Sequence, residues 1–262
     1  MLGIIGVGNM GGAILGVILD SGLLEAKDIM IYNHSREKAK KFIDRGVLFA
    51  ANEEDLVSKC ETLLLCVKPQ SFDALARTLK GKIAEDRLIA SIAAGISLEK
   101  LEELFGAHRF VRIMPNTPAL IGQGMSALCK NDLATDADLD AITKLFDAVG
   151  ATAHLPEEKF DAFSGIAGCM PAYVYMFIEA AADAAVKNGL KRDEAYKYVA
   201  TAVAGSANMV LKTGKHPGEL KDQVTSPGGT TIRGVVALER EGFRNAVIKA
   251  VDESTNFKIE VK

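Results

Sequence analysis

Through the first half of the chain, short apolar runs alternate with segments whose apolar residues recur at three- and four-residue spacing. The runs at 2–5, 29–32, 62–67, 88–91 and 110–114 have the length and near-continuous hydrophobicity of strands buried on both faces. Between them Ile14, Leu15, Ile18 and Leu19, then Leu75 with Leu79 and Leu98 with Leu101, mark one face of a helix. This alternation predicts βαβ units and a parallel sheet. Beyond about Pro156 the strand-like runs cease, and alanine-rich helical patterns fill 172–187, 193–212 and 229–241. The expected architecture is α/β, with a Rossmann-like dinucleotide-binding domain over 1–157 and an all-α domain over 158–262. The late helices carry Ala, Val, Tyr, Met and Phe on several faces, too much apolar surface for one side of a helix, which predicts packing against a second subunit.

Composition narrows the function classes. A chain of 262 residues can bury a substantial core and is near the size at which one core divides into two. A net charge of -3 offers no positive field for a phosphodiester backbone, so nucleic acid is not an expected partner. Cys60, Cys66, Cys129 and Cys169 form no CxxC pair, and His34, His108, His154 and His216 are dispersed, so neither a disulfide framework nor a metal site is expected. The N-terminus lacks the basic flank and cleavage site of a signal peptide, and Glu179 and Asp183 interrupt the alanine-rich stretch near 180–185. The expectation is a cytoplasmic protein with no membrane span.

Gly6-Val7-Gly8-Asn9-Met10-Gly11 matches GxGxxG between a strand and a helix. Gly6 suits the tight turn, Gly8 the approach of a pyrophosphate and Gly11 close helix packing, with Asn9 and Met10 opening the helix whose free N–H groups face the anion. A purely structural glycine turn is the alternative. An NAD-specific fold would carry Asp or Glu at the end of the second strand; here Asn33, His34, Ser35 and Arg36 follow Tyr32, with Lys38 close behind, a set suited to a 2'-phosphate. One charge-assisted contact from Arg36 would favour NADPH over NADH by about ten- to a hundredfold. Ser35 and Arg36 also read as the solvated start of a helix. Asn52 is expected near the adenosine half, and Val67, Lys68 and Pro69 end a strand on the same sheet edge. Lys68 is assigned no acid/base work.

Three further motifs are more specific: Met114-Pro115-Asn116-Thr117-Pro118, Pro171-Ala172-Tyr173, and the run from Asp222 through Ser226-Pro227-Gly228-Gly229-Thr230-Thr231 to Ile232. With His216-Pro217 and Val67-Lys68-Pro69-Gln70 they resemble the pyrroline-5-carboxylate reductase family across essentially the whole chain. The resemblance implies reduction of 1-pyrroline-5-carboxylate to L-proline with NADPH, NADH being a possible substitute. It implies a Rossmann domain with Asn116 among the cofactor contacts, then a helical domain interlocked into a homodimer, with dimers assembled into larger rings. Ser226, Gly228, Gly229, Thr230 and Thr231 map onto the turn that binds the substrate carboxylate, with Thr231 meeting the ring nitrogen. Glycines ahead of a helix do form a nest of N–H donors for a small anion, although the segment alone also reads as a tight turn with Thr230 as N-cap.

One segment departs from the family pattern: Ala167-Gly168-Cys169-Met170 stands where such reductases usually read Ser-Gly-Ser-Gly. Cys169, with no histidine or cation beside it in sequence, reads as an inert replacement for serine, and Met170 as filler at the helix start. A β-hydroxyacid dehydrogenase shares the two-part plan but needs a Lys and an Asn four residues apart on one helix. Here Gly165 and Gly168 lead into Pro171, and the first lysine is Lys187. A non-catalytic NADPH-binding protein would have no use for the substrate turn. A reductase of a six-membered cyclic imine stays open, since one methylene gives only about 1–3 kcal/mol of discrimination.

Overall fold

The computed structural model describes residues 1–256; positions 257–262, the end of the expected helical domain, lie outside the described residues. Eight strands form one sheet: β1 (Leu2–Ile5), β2 (Ile29–Tyr32), β3 (Leu48–Phe49), β4 (Thr62–Leu65), β5 (Leu88–Ser91), β6 (Arg109–Met114), β7 (Gly124–Lys130) and β8 (Gly150–His154). Their order is β3-β2-β1-β4-β5-β6-β7-β8, parallel except for the antiparallel β6–β7 pair. The helices crossing over it are α1 (Asn9–Ser21), α2 (Arg36–Ile43), α3 (Glu53–Lys59), α4 (Phe72–Leu79), α5 (Leu98–Phe105) and α6 (Asp136–Asp147). The chain reverses direction across the sheet between β1 and β4, the switch point at which such sheets open a crevice.

Two apolar cores fill the two faces of the sheet. Ile14, Leu15 and Ile18 of α1 share one with Phe42 of α2 and Ile142 and Phe146 of α6. Leu56 of α3, Leu75 and Leu79 of α4 and Leu101 of α5 share the other. The central strands present side chains to both cores, which is why their sequences are continuous apolar runs. β1, for example, sends Ile4 to one core and Ile5 to the other.

The described chain separates into two compact units, residues 1–168 with Thr255 and Asn256, and Cys169–Ser254. The first unit continues past β8 because Glu157 fastens that stretch to the sheet. Its carboxylate accepts from Arg112 at 2.7 Å and from the Leu98 amide at 2.8 Å, and the Arg112 guanidinium stacks 4.7 Å from the Phe160 ring centroid. A short helix, α7 (Phe160–Phe163), then runs into a π-helical turn over Ser164–Gly168.

The second unit consists of α8 (Met170–Lys187), α9 (Arg192–Thr213), α10 (Pro217–Gln223), α11 (Thr230–Arg240) and, as far as Ser254, α12 (Phe243–Asn256). Each of the long helices α8 and α9 buries a single residue, Ala182 and Ala195. Tyr173 ties α8 to α12 through a 3.1 Å bond to the Ala250 carbonyl. Tyr173, Phe177, Val203 and Phe243 line an apolar cavity of about 640 Å³. The helical stretch Glu157–Lys187 includes a window long and apolar enough, by length and composition, to cross a membrane, of which 11% is buried within the chain.

Candidate active site

The glycine loop lies at the switch point and its three glycines do different work. Gly6 has φ +98°, and a Cβ there would come within 2.9 Å of the Cys66 backbone. A Cβ on Gly11 would sit 2.2 Å from the Gly6 carbonyl oxygen and 2.7 Å from the Cys66 Cβ, so α1 can approach β4 only with glycine at that position. A Cβ on Gly8 would meet nothing within 4 Å, which leaves the backbone there open to a ligand beside the first N–H groups of α1. Asn9 and Met10 supply the first turn of that helix. These features fit a dinucleotide diphosphate.

Asn33 steadies this loop from the end of β2. Its Oδ1 accepts from the Val7 amide at 3.0 Å and its Nδ2 donates to the Ser35 carbonyl at 2.9 Å. Ser35 occupies the N-cap of α2, yet its hydroxyl makes no capping bond, so hydroxyl and helix amides remain available together. Arg36 follows, exposed, with its guanidinium 4.7 Å from the Phe49 ring centroid. Asn52 caps α3, accepting from the Asp55 amide at 2.8 Å. Val67 is half-buried, and Lys68, exposed, leads into Pro69 at the start of a 3-10 turn. Val67 and Gly6 help line a cavity of about 240 Å³ that also takes in Tyr32, His34 and Glu53. The sequence gives no separate sign of Glu53, because β3, the strand that delivers it, is only two residues long.

Asn116 has a structural task on its face toward the protein. Its Oδ1 accepts from the Met125 amide and its Nδ2 donates to the Ala167 carbonyl, both at 2.9 Å. It thereby clamps the π-helical turn in which the departing Ala167-Gly168 pair lies, an irregularity of the kind that recurs at functional sites. Cys169 takes the N-cap of α8 without a side-chain cap, and Met170 begins the helix. Burial pushes the thiols of Cys60 and Cys129 up to about 11 and 12 and raises Cys66 further, so none of these three offers a nucleophile at neutral pH.

In the second unit the Ser226–Thr231 segment turns back through the Gly229 amide, which donates to the Ser226 carbonyl at 3.1 Å. Gly228 has φ +67°, a left-handed position, and Gly229 rather than Thr230 is the N-cap of α11. No side chain caps that terminus, so the amides of the first turn are free for an anion, while Ser226, Thr230 and Thr231 present exposed hydroxyls beside them. His216, upstream, has a capping role: its Nδ1 accepts from the Gly218 amide at 3.0 Å.

Comparison with known proteins agrees with these features. Residues 157–261 match the model described as pyrroline-5-carboxylate reductase dimerisation, and residues 1–95 match that described as NADP oxidoreductase coenzyme F420-dependent. The chain is 42% identical over 252 residues to the pyrroline-5-carboxylate reductase of Escherichia coli (strain K12), covering 95% of this chain and 94% of that one. It is 40% identical to the Pisum sativum enzyme over 95% of this chain and 92% of that one. Among solved structures, the Plasmodium falciparum pyrroline carboxylate reductase with NADP bound superposes with a TM-score of 0.87 at 32% identity, covering 97% of this chain and 95% of that chain. The Coxiella burnetii pyrroline-5-carboxylate reductase gives 0.91 at 29% identity, over 97% and 96%. With relatives this similar along nearly their whole length, the chain belongs to the pyrroline-5-carboxylate reductase family.

Proposed function

We propose that the protein reduces 1-pyrroline-5-carboxylate to L-proline, the last step of proline biosynthesis, with NADPH as the reductant. The observation that carries this reading is the uncapped N-terminus of α11, where free amides and the Thr231 hydroxyl offer a carboxylate site and a partner for a ring nitrogen on adjoining residues. Gly6, Gly8 and Gly11 with the opening of α1 would hold the cofactor diphosphate, and Ser35 and Arg36 its 2'-phosphate. When bound, the cofactor supplies a hydride from C4 of its nicotinamide.

The chain's own residues have a modest electronic task. A neutral threonine is too weak an acid to drive protonation, so the substrate enters as the protonated cyclic imine and its carbon is already electrophilic. The α11 amides and Ser226 fix the carboxylate, and Thr231 Oγ1 accepts from the ring N–H. Orientation and exclusion of water then account for most of the rate. No His, Asp or Glu is assigned to proton transfer.

Assembly as a homodimer through the helical unit, with dimers joined into larger rings, accounts for the exposed apolar faces of α8 and α9. It equally accounts for the apolar stretch in Glu157–Lys187 without a membrane. Four free thiols and a net negative charge suit a cytoplasmic enzyme that handles no nucleic acid.

The test is a steady-state assay with 1-pyrroline-5-carboxylate, following NADPH and NADH oxidation separately, on the wild type, Thr231→Ser and Thr231→Ala. Turnover should favour NADPH, and Thr231→Ala should lower kcat/KM by about 10²-fold with partial rescue in Thr231→Ser. An unimpaired Thr231→Ala would remove the hydroxyl from the mechanism. Turnover confined to keto acids or six-membered imines would remove the substrate.

A further inference from the structure

The 240 Å³ cavity at the C-terminal ends of β1, β2 and β4 has apolar walls from Ile5, Val67 and Leu75 beside the neutral polar side chains of Asn33 and Gln70, and among the described residues Glu53 is the only carboxylate lining it, with no Lys or Arg. Arg36 and Lys38, the cations suited to a phosphate, lie outside it. A pocket so lined suits a flat, uncharged ring with an N–H edge. Resting on the reductase reading above, we infer that Glu53 reads the 6-amino group of the cofactor's adenine and makes the base itself a point of selection.

Glu53 opens α3, and its side chain is only 14% exposed. Its Oε1 stands 3.9 Å from His34 Nε2, beyond hydrogen-bond length, and the Tyr32 phenol engages the same carboxylate, whose two oxygens can accept more than that one donor. The neighbouring Tyr32 phenol is held above its ordinary pKa by burial and then by Glu53, which agrees with a carboxylate partly withdrawn from water. An exocyclic amine offers this oxygen a donor. A 6-oxo purine would set an acceptor against this oxygen at the 6-position and move its donor to N1, so the bond at the 6-position is lost and two acceptors are left facing one another there.

The comparison that decides it sets NADPH against its deamino analogue, in which a 6-oxo group replaces the amine and N1 carries a proton, in the 1-pyrroline-5-carboxylate assay. Wild type should favour NADPH by about ten- to a hundredfold in kcat/KM for the cofactor, through KM rather than kcat, because the base is remote from the reacting carbon. In Glu53→Gln, whose amide can present N–H to a 6-oxo group, the ratio should contract to within about threefold. Equal use of both cofactors by wild type would overturn the inference without recourse to a variant, and so would an unchanged ratio in Glu53→Gln. Absence of turnover with either cofactor would overturn the reductase reading itself, and this inference with it.

Discussion

The Arg36 guanidinium lies against the Phe49 ring, 4.7 Å from its centroid, and forms no ion pair with a carboxylate among the described residues. Stacking restrains its plane and leaves its N–H fork free, which is the state a phosphate recogniser needs. Arg36→Gln should therefore lower the NADPH:NADH ratio of kcat/KM by about ten- to a hundredfold while NADH turnover is preserved. Arg36→Lys should recover only part, because an ammonium keeps the charge but loses the stacked fork. A ratio unmoved by either change would transfer 2'-phosphate recognition to Ser35 and the α2 amides. At this same scale Asn33 and Asn116 show how side chains suited to cofactor contact are already spent in part on the protein. Asn33 bonds the Val7 amide and the Ser35 carbonyl, and Asn116 the Met125 amide and the Ala167 carbonyl. Sequence shows their chemistry but not which of their bonds are taken.

Among the elements, α6 shows how a helix start couples to distant charge. Thr135 and Asp138 form a capping box, and Asp138 also receives Arg109 from β6 at 2.6 Å. Burial alone would push the Asp138 carboxyl up, but the Thr135 amide and hydroxyl and the Arg109 guanidinium outweigh it and hold the group below its ordinary value. A depressed native pKa contributes stability above the unfolded value of 3.8 and loses it as pH falls through the lower native one. Asp138→Ala should cost about 1–3 kcal/mol at neutral pH, and the gap in thermal midpoint between wild type and variant should close below pH 3.8. A gap that persists under acid would attribute the loss to packing.

The elements also differ in how openly their sequences announce them. β1, β2, β4, β5 and β6 were legible because strands covered on both faces are apolar at most positions, even where β6 admits Arg112. β3 was not, being two residues at the sheet edge, and neither were β7 and β8. β7 carries Gly, Ser, Cys and Lys and is buried by its neighbours rather than by its own pattern, while β8 is half exposed. The glycine loop could be read because its backbone permits few alternatives. Glu53 could not, since its place in a pocket depends on the unannounced β3.

For the whole molecule, the helical unit has too little interior to stand alone. α10, α11 and α12 bury no residue, and Met176 and Leu211 on α8 and α9 are 69% and 80% exposed. An apolar surface of that extent on a chain of near-neutral charge needs a partner, as the match of this region to a dimerisation model indicates. Because packing of amphipathic faces rather than helix propensity supplies most helical stability, losing the partner should loosen these helices as well as separate the subunits. Met176→Glu and Leu211→Glu each bury a charge against an apolar partner if they lie at the interface. The expected result in light scattering is a shift from multiples of the dimer toward the 27.9 kDa monomer, with a lower thermal midpoint and weaker helical circular dichroism at micromolar concentration. Full assembly in both variants would put the interface on other faces of α8 and α9, around the cavity lined by Tyr173, Phe177 and Phe243.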